Sequence, residues 1–173
     1  MSVQPLAAIR DFLIDGLRNA HAMESQAISL TTAQADRLQH YPELETRIRQ
    51  HAQETEGQRA RIEQCLEALG AGPSTFKDAA LKAGANLQAM MHSMASDEVI
   101  KNSLASFAFE NFEIASYKAL IETSRIAGEA DIERVCRQNL AEEEAMAAFI
   151  DQGLPALIQK YLSRASAHVE AKR

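Results

Sequence analysis

A chain of 173 residues, 46% hydrophobic with no Trp, four Pro and seven Gly, is long enough to bury about two-thirds of the surface its unfolded form would expose. Its Ala, Leu, Glu and Gln all tolerate helical geometry, so the composition points to an all-α domain spanning residues 1–173. A net charge of -6 without a dense basic block, and no apolar run near the roughly 20 residues that span a bilayer, leave neither nucleic acid nor a membrane among the expected partners.

In chain order, the first helix is expected over about 5–38, opened by Pro5 and stopped before the turn "HYP". The start "MSVQPLAAIRDFL" has neither a basic n-region nor a small-residue cleavage site, which predicts a cytoplasmic protein. The inward row of this helix steps by three and four through Leu13, Leu17, Ala20, Glu24, Ala27, Thr31 and Leu38. A carboxylate therefore stands where a Leu is expected.

Pro42 opens the second helix, over about 43–69, which ends at "GAGPS". Its row is Leu44, Ile48, His51, Thr55, Gln58, Ile62, Leu66 and Leu69, with Glu54 on the neighbouring row one turn beyond His51. The stripe is apolar at both ends and polar in the middle. Burying such groups costs several kcal/mol each unless they are hydrogen-bonded, paired or bound to a metal.

A shorter helix is expected over about 76–94, between the second and third core helices, and its apolar Phe76, Leu81 and Leu87 suit an interface. Ser96-Asp97 caps the third core helix, over about 97–127, stopped by Gly128. Its row runs Ile100, Leu104, Phe107, Glu110, Glu113 or Ile114, Tyr117 and Ile121. The fourth, over about 129–152, steps through Ile132, Cys136, Leu140, Glu143, Ala147 and Ile150 and stops at Gly153, with a short C-terminal helix after Pro155. Glu142 competes with Glu143, because it falls on a row with Val135, Met146 and Phe149. Cys65 and Cys136 belong to no CxxC pair and suit buried positions in a reducing compartment.

Four helices, each with acid in mid-stripe, imply a shared buried site. Five carboxylates and one imidazole in a low-dielectric core repel one another strongly unless compensated, and no Lys or Arg occupies these rows. Two divalent or trivalent cations would compensate them. Oxygen-rich ligation with a nitrogen suits iron or manganese, and the arrangement is that of carboxylate-bridged dimetal bundles. Each acid also has a plainer reading, as an edge-of-stripe carboxylate or an ion-pair member. His51 is either a ligand or a hydrogen-bond partner of a carboxylate, and Tyr117 and Gln58 are expected to support ligands. His21, His40, His92 and His168 have no partner at ligand spacing, so surface or turn positions are expected.

"NAHAMESQ", "HAQETEGQ", "FENFEIASYKAL" and "LAEEEAMAAFI", in this order and spacing, resemble the bacterial YciE/YciF-type ferritin-like proteins over about residues 5 to 165. The resemblance implies a ferritin-like up-down four-helix bundle with the extra helix after the second, a dimetal centre, a homodimer and a link to bacterial stress. Carried over by position, the metal ligands are Glu24, Glu54, Glu110 and Glu143, with Glu113 and His51 completing the set, and the expected cofactor is two iron ions, with manganese or a mixed pair as the alternative. The chain departs from the common pattern: His51 precedes Glu54 instead of following it, Gly57 stands three beyond Glu54, and Met146 stands where a His often follows. The resemblance implies no known reaction, so a protein that reacts with oxygen or peroxide stands beside a non-catalytic metal-binding or structural stress-associated helical dimer.

Overall fold

A computed structural model describes residues 3–74 and 96–172. Four α-helices account for most of them: α1 (Val3–Ala35), α2 (Pro42–Ala68), α3 (Glu98–Ala127) and α4 (Ala130–Ser166). The short helix expected over 76–94 lies outside the described residues. No described helix is long and apolar enough to cross a membrane.

Residue chemistry explains most of the boundaries. Pro42 sits at the start of α2, where a missing N–H costs nothing. Gly128 ends α3 in the left-handed region, at φ 79°, and its N–H and that of Glu129 return to the carbonyls of Arg125 and Ser124 at 3.3 and 3.0 Å. Asp97 precedes α3 without a side-chain cap, because its carboxylate pairs with Lys101 at 2.8 Å instead.

Two further expectations do not hold. The fourth helix does not stop at Gly153 to make way for a separate C-terminal helix; it continues through Pro155 for 37 residues, to Ser166. Pro155 removes only the bond to the carbonyl of Asp151, which is exposed and open to water, and the left-handed residue that ends the helix is His168, at φ 56°. The inward row of α3 is also out of phase at its start. Leu104 is 51% exposed, whereas Val99 and Ser103 are buried, with Ser103 Oγ donating to the carbonyl of Val99 at 2.9 Å. A serine that satisfies its hydroxyl within its own helix can take a core position that apolar counting gives to its Leu neighbour.

The helices pack as two hairpins, α1 with α2 and α3 with α4, joined through α1 against α3 and α2 against α4. One end carries Leu13, Leu17, Ile62, Leu66, Ile121, Ile132 and Cys136; the other carries Leu38, Tyr41, Ile48, Val99, Met146 and Ile150. The first cluster joins the start of α1, the end of α2, the end of α3 and the start of α4. The directions alternate within each hairpin, while α2 and α3 run parallel, so the chain returns to the opposite end between them, the single-crossover order of ferritin-like bundles.

Candidate metal centre

Between the two apolar clusters lies a polar belt to which all four helices contribute. Glu24 on α1, His51, Thr55 and Gln58 on α2, Glu110 and Glu113 on α3, and Glu143 on α4 are each no more than 3% exposed. The three-and-four stepping that places apolar side chains inward at the ends of each helix carries these inward at its centre.

His51, Glu110, Glu113 and Glu143 each offer a ligand atom within 4.8 Å of all the others, and this buried group can hold a metal ion. His51 Nε2 lies 3.3 Å from Glu110 Oε2 and 3.6 Å from Glu143 Oε2. On its other side, Nδ1 lies 3.2 Å from Glu54 Oε2. Burial raises the Glu54 carboxyl, but His51 and Arg47 outweigh it and hold that group below its ordinary value. Glu54 is therefore the acceptor and Nδ1 the donor, which turns Nε2 toward Glu110 and Glu143. Glu54 itself stands at the rim, 24% exposed, paired with Arg47 at 3.0 Å and Gln50 at 2.8 Å.

Glu24 is fixed from behind. The Tyr117 hydroxyl donates to Glu24 Oε1, Asn139 Nδ2 donates to the Tyr117 oxygen at 2.8 Å, and Arg61 Nε donates to Asn139 Oδ1 at 2.7 Å. Arg61 closes the line at the surface by pairing with Glu142 at 2.5 Å. Arg61 can only donate, which fixes the Asn139 amide with its oxygen toward Arg61 and its N–H toward Tyr117. The chain's two candidates for the α4 ligand are thereby separated: Glu142 faces Arg61 at the rim, and Glu143 is fully buried.

The belt is short of partners. Glu24 Oε2, His51 Nε2, Glu110 Oε2, both oxygens of Glu113, both of Glu143 and both polar atoms of Gln58 are buried without a well-formed hydrogen bond. Unpaired buried polar atoms are uncommon singly, and here they share one depth. Burial and the neighbouring acids push the Glu24 carboxyl up to about 8 and Glu143 up to about 10, and Glu113 well above the usual carboxylate range. Burial pulls the His51 imidazole down, but Glu110 and Glu54 outweigh it and the net shift is upward. A cation in the belt would displace these protons and pair the orphaned atoms together.

Of the six expected ligands, the structure brings His51, Glu110, Glu113 and Glu143 into one group, places Glu24 beside it and leaves Glu54 at its edge. Tyr117 and Gln58 lie in the belt as expected. Asn139 was missed because counting gave its place to Leu140, although Asn139 lies one step from both Cys136 and Glu143 on the buried row. His21 was expected near the surface and is buried. His92 lies outside the described residues.

The family described as "Domain of unknown function (DUF892)" matches residues 8–163. Among solved structures, a protein from Xanthomonas campestris pv. campestris is 36% identical, covers 91% of this chain and 99% of its own length, and superposes with a TM-score of 0.79. YcfI from Rhodopseudomonas palustris (24% identity, 87% and 98% coverage, TM-score 0.73) and the E. coli stress protein YciF (22% identity, 88% and 98% coverage, TM-score 0.77) share the fold.

Proposed function

The chain belongs to the DUF892 family, a domain of unknown function, and from that premise we propose that it is a dimetal-carboxylate protein of stress defence, with iron the first candidate metal and manganese the second. The observation that carries this reading is the cluster of orphaned buried atoms on Glu24, His51, Glu110, Glu113 and Glu143. Carboxylate oxygens with one imidazole nitrogen are the donor set that iron and manganese prefer, and Cys65 and Cys136 lie apart from it in the apolar cluster.

In this reading His51 Nε2, Glu110, Glu113, Glu143 and Glu24 Oε2 hold the metal. Glu54 accepts the Nδ1 proton of His51 and orients the ring, as a carboxylate behind a ligating histidine does. Tyr117, held by Asn139 and Arg61, keeps Glu24 Oε2 aimed into the belt. Bound iron supplies Lewis acidity and a redox couple toward oxygen or peroxide.

A second reading is structural, a stress-associated helical protein without a metal, and it draws on Glu143 being pushed up to about 10: neutral acids can be buried without a cation. Metal content measured by plasma mass spectrometry on protein purified without an affinity tag separates the two, alongside the Glu110→Ala, Glu143→Ala double variant. About two iron or manganese ions per chain, lost in the variant, is the expected result for a dimetal bundle. No metal in the wild type, even after anaerobic iron(II) loading, would overturn the reading.

A further inference from the structure

The two ends of the belt are not alike. On α2, His51 stands one turn from Ile48 of the second apolar cluster, and Gln58 stands one turn from Ile62 of the first. On α3, Glu110 likewise follows Phe107 of the second cluster, and Glu113 precedes Tyr117 of the first. Glu24 belongs to the Gln58 end, because Tyr117 donates to it and the line behind Tyr117 returns to α2 at Arg61, one turn beyond Gln58. His51 and Gln58 are two turns apart on one helix, about 10 Å along its axis. Both nevertheless adjoin the Glu143 carboxyl, His51 Nε2 at 3.6 Å and the Gln58 amide close enough to favour its charged form. They reach it from opposite directions along the bundle. Glu113 and Glu143 each feel the charge of Glu24 at one end and Glu110 at the other.

The donors divide the same way. At the His51 end an imidazole nitrogen joins Glu110, Glu113 and Glu143, all offering ligand atoms within 4.8 Å of one another. At the other end Glu24 has only Oε2 to offer, since Oε1 accepts from Tyr117. Where a second histidine often stands, Met146 packs into the second apolar cluster. Thr55 spends its hydroxyl hydrogen on the carbonyl of His51 at 2.9 Å. Gln58 is fully buried, and neither Oε1 nor Nε2 has a well-formed hydrogen bond. Four carboxylates already balance the charge of two divalent ions, and an amide oxygen adds a donor without disturbing that balance.

We infer that the belt holds two unequal metal positions, a nitrogen-bearing one at His51 and Glu110 and an all-oxygen one between Glu24 and Gln58, with Gln58 Oε1 a direct donor and Glu113 and Glu143 shared. The inference rests on the dimetal reading. Imidazole with carboxylates suits iron(II), whereas carboxylate and carbonyl oxygens alone suit manganese(II). The second position therefore takes manganese(II) in a chain whose first position holds iron(II).

Anaerobic titration of the metal-free protein tests this, with iron(II) followed by calorimetry and manganese(II) by electron paramagnetic resonance. The wild type takes iron(II) in two separate steps, and protein loaded with one iron(II) takes one manganese(II). Gln58→Leu keeps the first step, weakens the second at least about tenfold and loses the manganese(II). Gln58→Glu, which keeps an oxygen donor but has no N–H, restores both. Gln58→Met, of equal length and without oxygen, repeats the test should Gln58→Leu fail to fold. A Gln58 that only donates to Glu143 gives two steps weakened alike and no rescue by Glu. One that only holds a water gives two wild-type steps in Gln58→Leu. Either pattern, or two equal steps in the wild type, would overturn the inference. Fewer than two ions in the saturated wild type defeats the dimetal reading instead.

Discussion

The apolar cluster around Leu17 and Leu66 and the polar belt around Glu24 and Glu143 lie on the same four helices, one or two turns apart, and all four of these residues are fully buried. Position alone does not tell them apart. In the cluster every buried atom gains by leaving water, and dense packing is its own reward. In the belt every buried atom loses hydration and most find nothing in return. The first region is built for stability, and the second carries a cost that a bound cation would offset.

The largest effects test that contrast directly. Leu66→Ala should cost about 2–5 kcal/mol by urea unfolding, through lost burial and a cavity that rigid helices cannot close. Glu143→Leu, of similar volume and equal burial, should leave the metal-free protein unchanged or stabilise it by about 1–4 kcal/mol, because it removes an acid that has to be buried beside Glu24, Glu110 and Glu113. Destabilisation of both to the same degree would show that the belt is packed and satisfied like ordinary core.

Titration sharpens the comparison next. Glu24 and Glu143 have folded-state values of about 8 and about 10, above the ordinary carboxylate value of 4.5, so the folded metal-free chain binds more protons than the unfolded one. The stability this confers is complete below 4.5 and is lost as pH rises through about 8 for Glu24 and about 10 for Glu143. The slope between is about 1.4 kcal/mol per pH unit for each proton held only by the folded state. Metal-free protein should therefore melt at lower temperature at pH 8 than at pH 5, and Glu143→Leu should flatten the slope. Metal reverses the trend, because it binds the deprotonated acids and gains affinity as pH rises. A melting temperature flat across this range would mean the acids are already paired.

The fold was legible in the sequence because its signals are local: Pro42 and Gly128 mark ends by backbone geometry, and stepping by three and four marks faces. The buried polar belt was legible for a different reason, since an acid in an apolar row is a contradiction that only a partner resolves, and Glu24, Glu110 and Glu143 each stand in such a row and are buried. What escaped depends on tertiary context. Pro155 reads as a stop, yet an exposed carbonyl at Asp151 lets α4 run on. Asn139 is passed over for Leu140 until Tyr117 and Arg61 are brought to it from other helices. Glu54 has the right spacing from His51 for a ligand, and Arg47 with Gln50 draws it to the rim.

Adjacent residues give the smallest and most discriminating effect. Glu142 and Glu143 differ by one position, or about 100° around the helix, which sends one to the Arg61 guanidinium at the rim and the other into the belt. Glu142→Gln keeps the shape and removes the charge from an ion pair whose side chains are 23% and 26% exposed, so solvent screening limits its cost to under about 1 kcal/mol. Arg61 retains Asn139, the line to Glu24 stays intact, and metal content should match the wild type. Glu143→Gln removes a donor from the centre and should reduce metal content sharply while leaving the fold as stable as before. Equal metal loss in the two variants would mean that the Arg61 pair at the rim, and not burial of Glu143, decides which acid serves the centre.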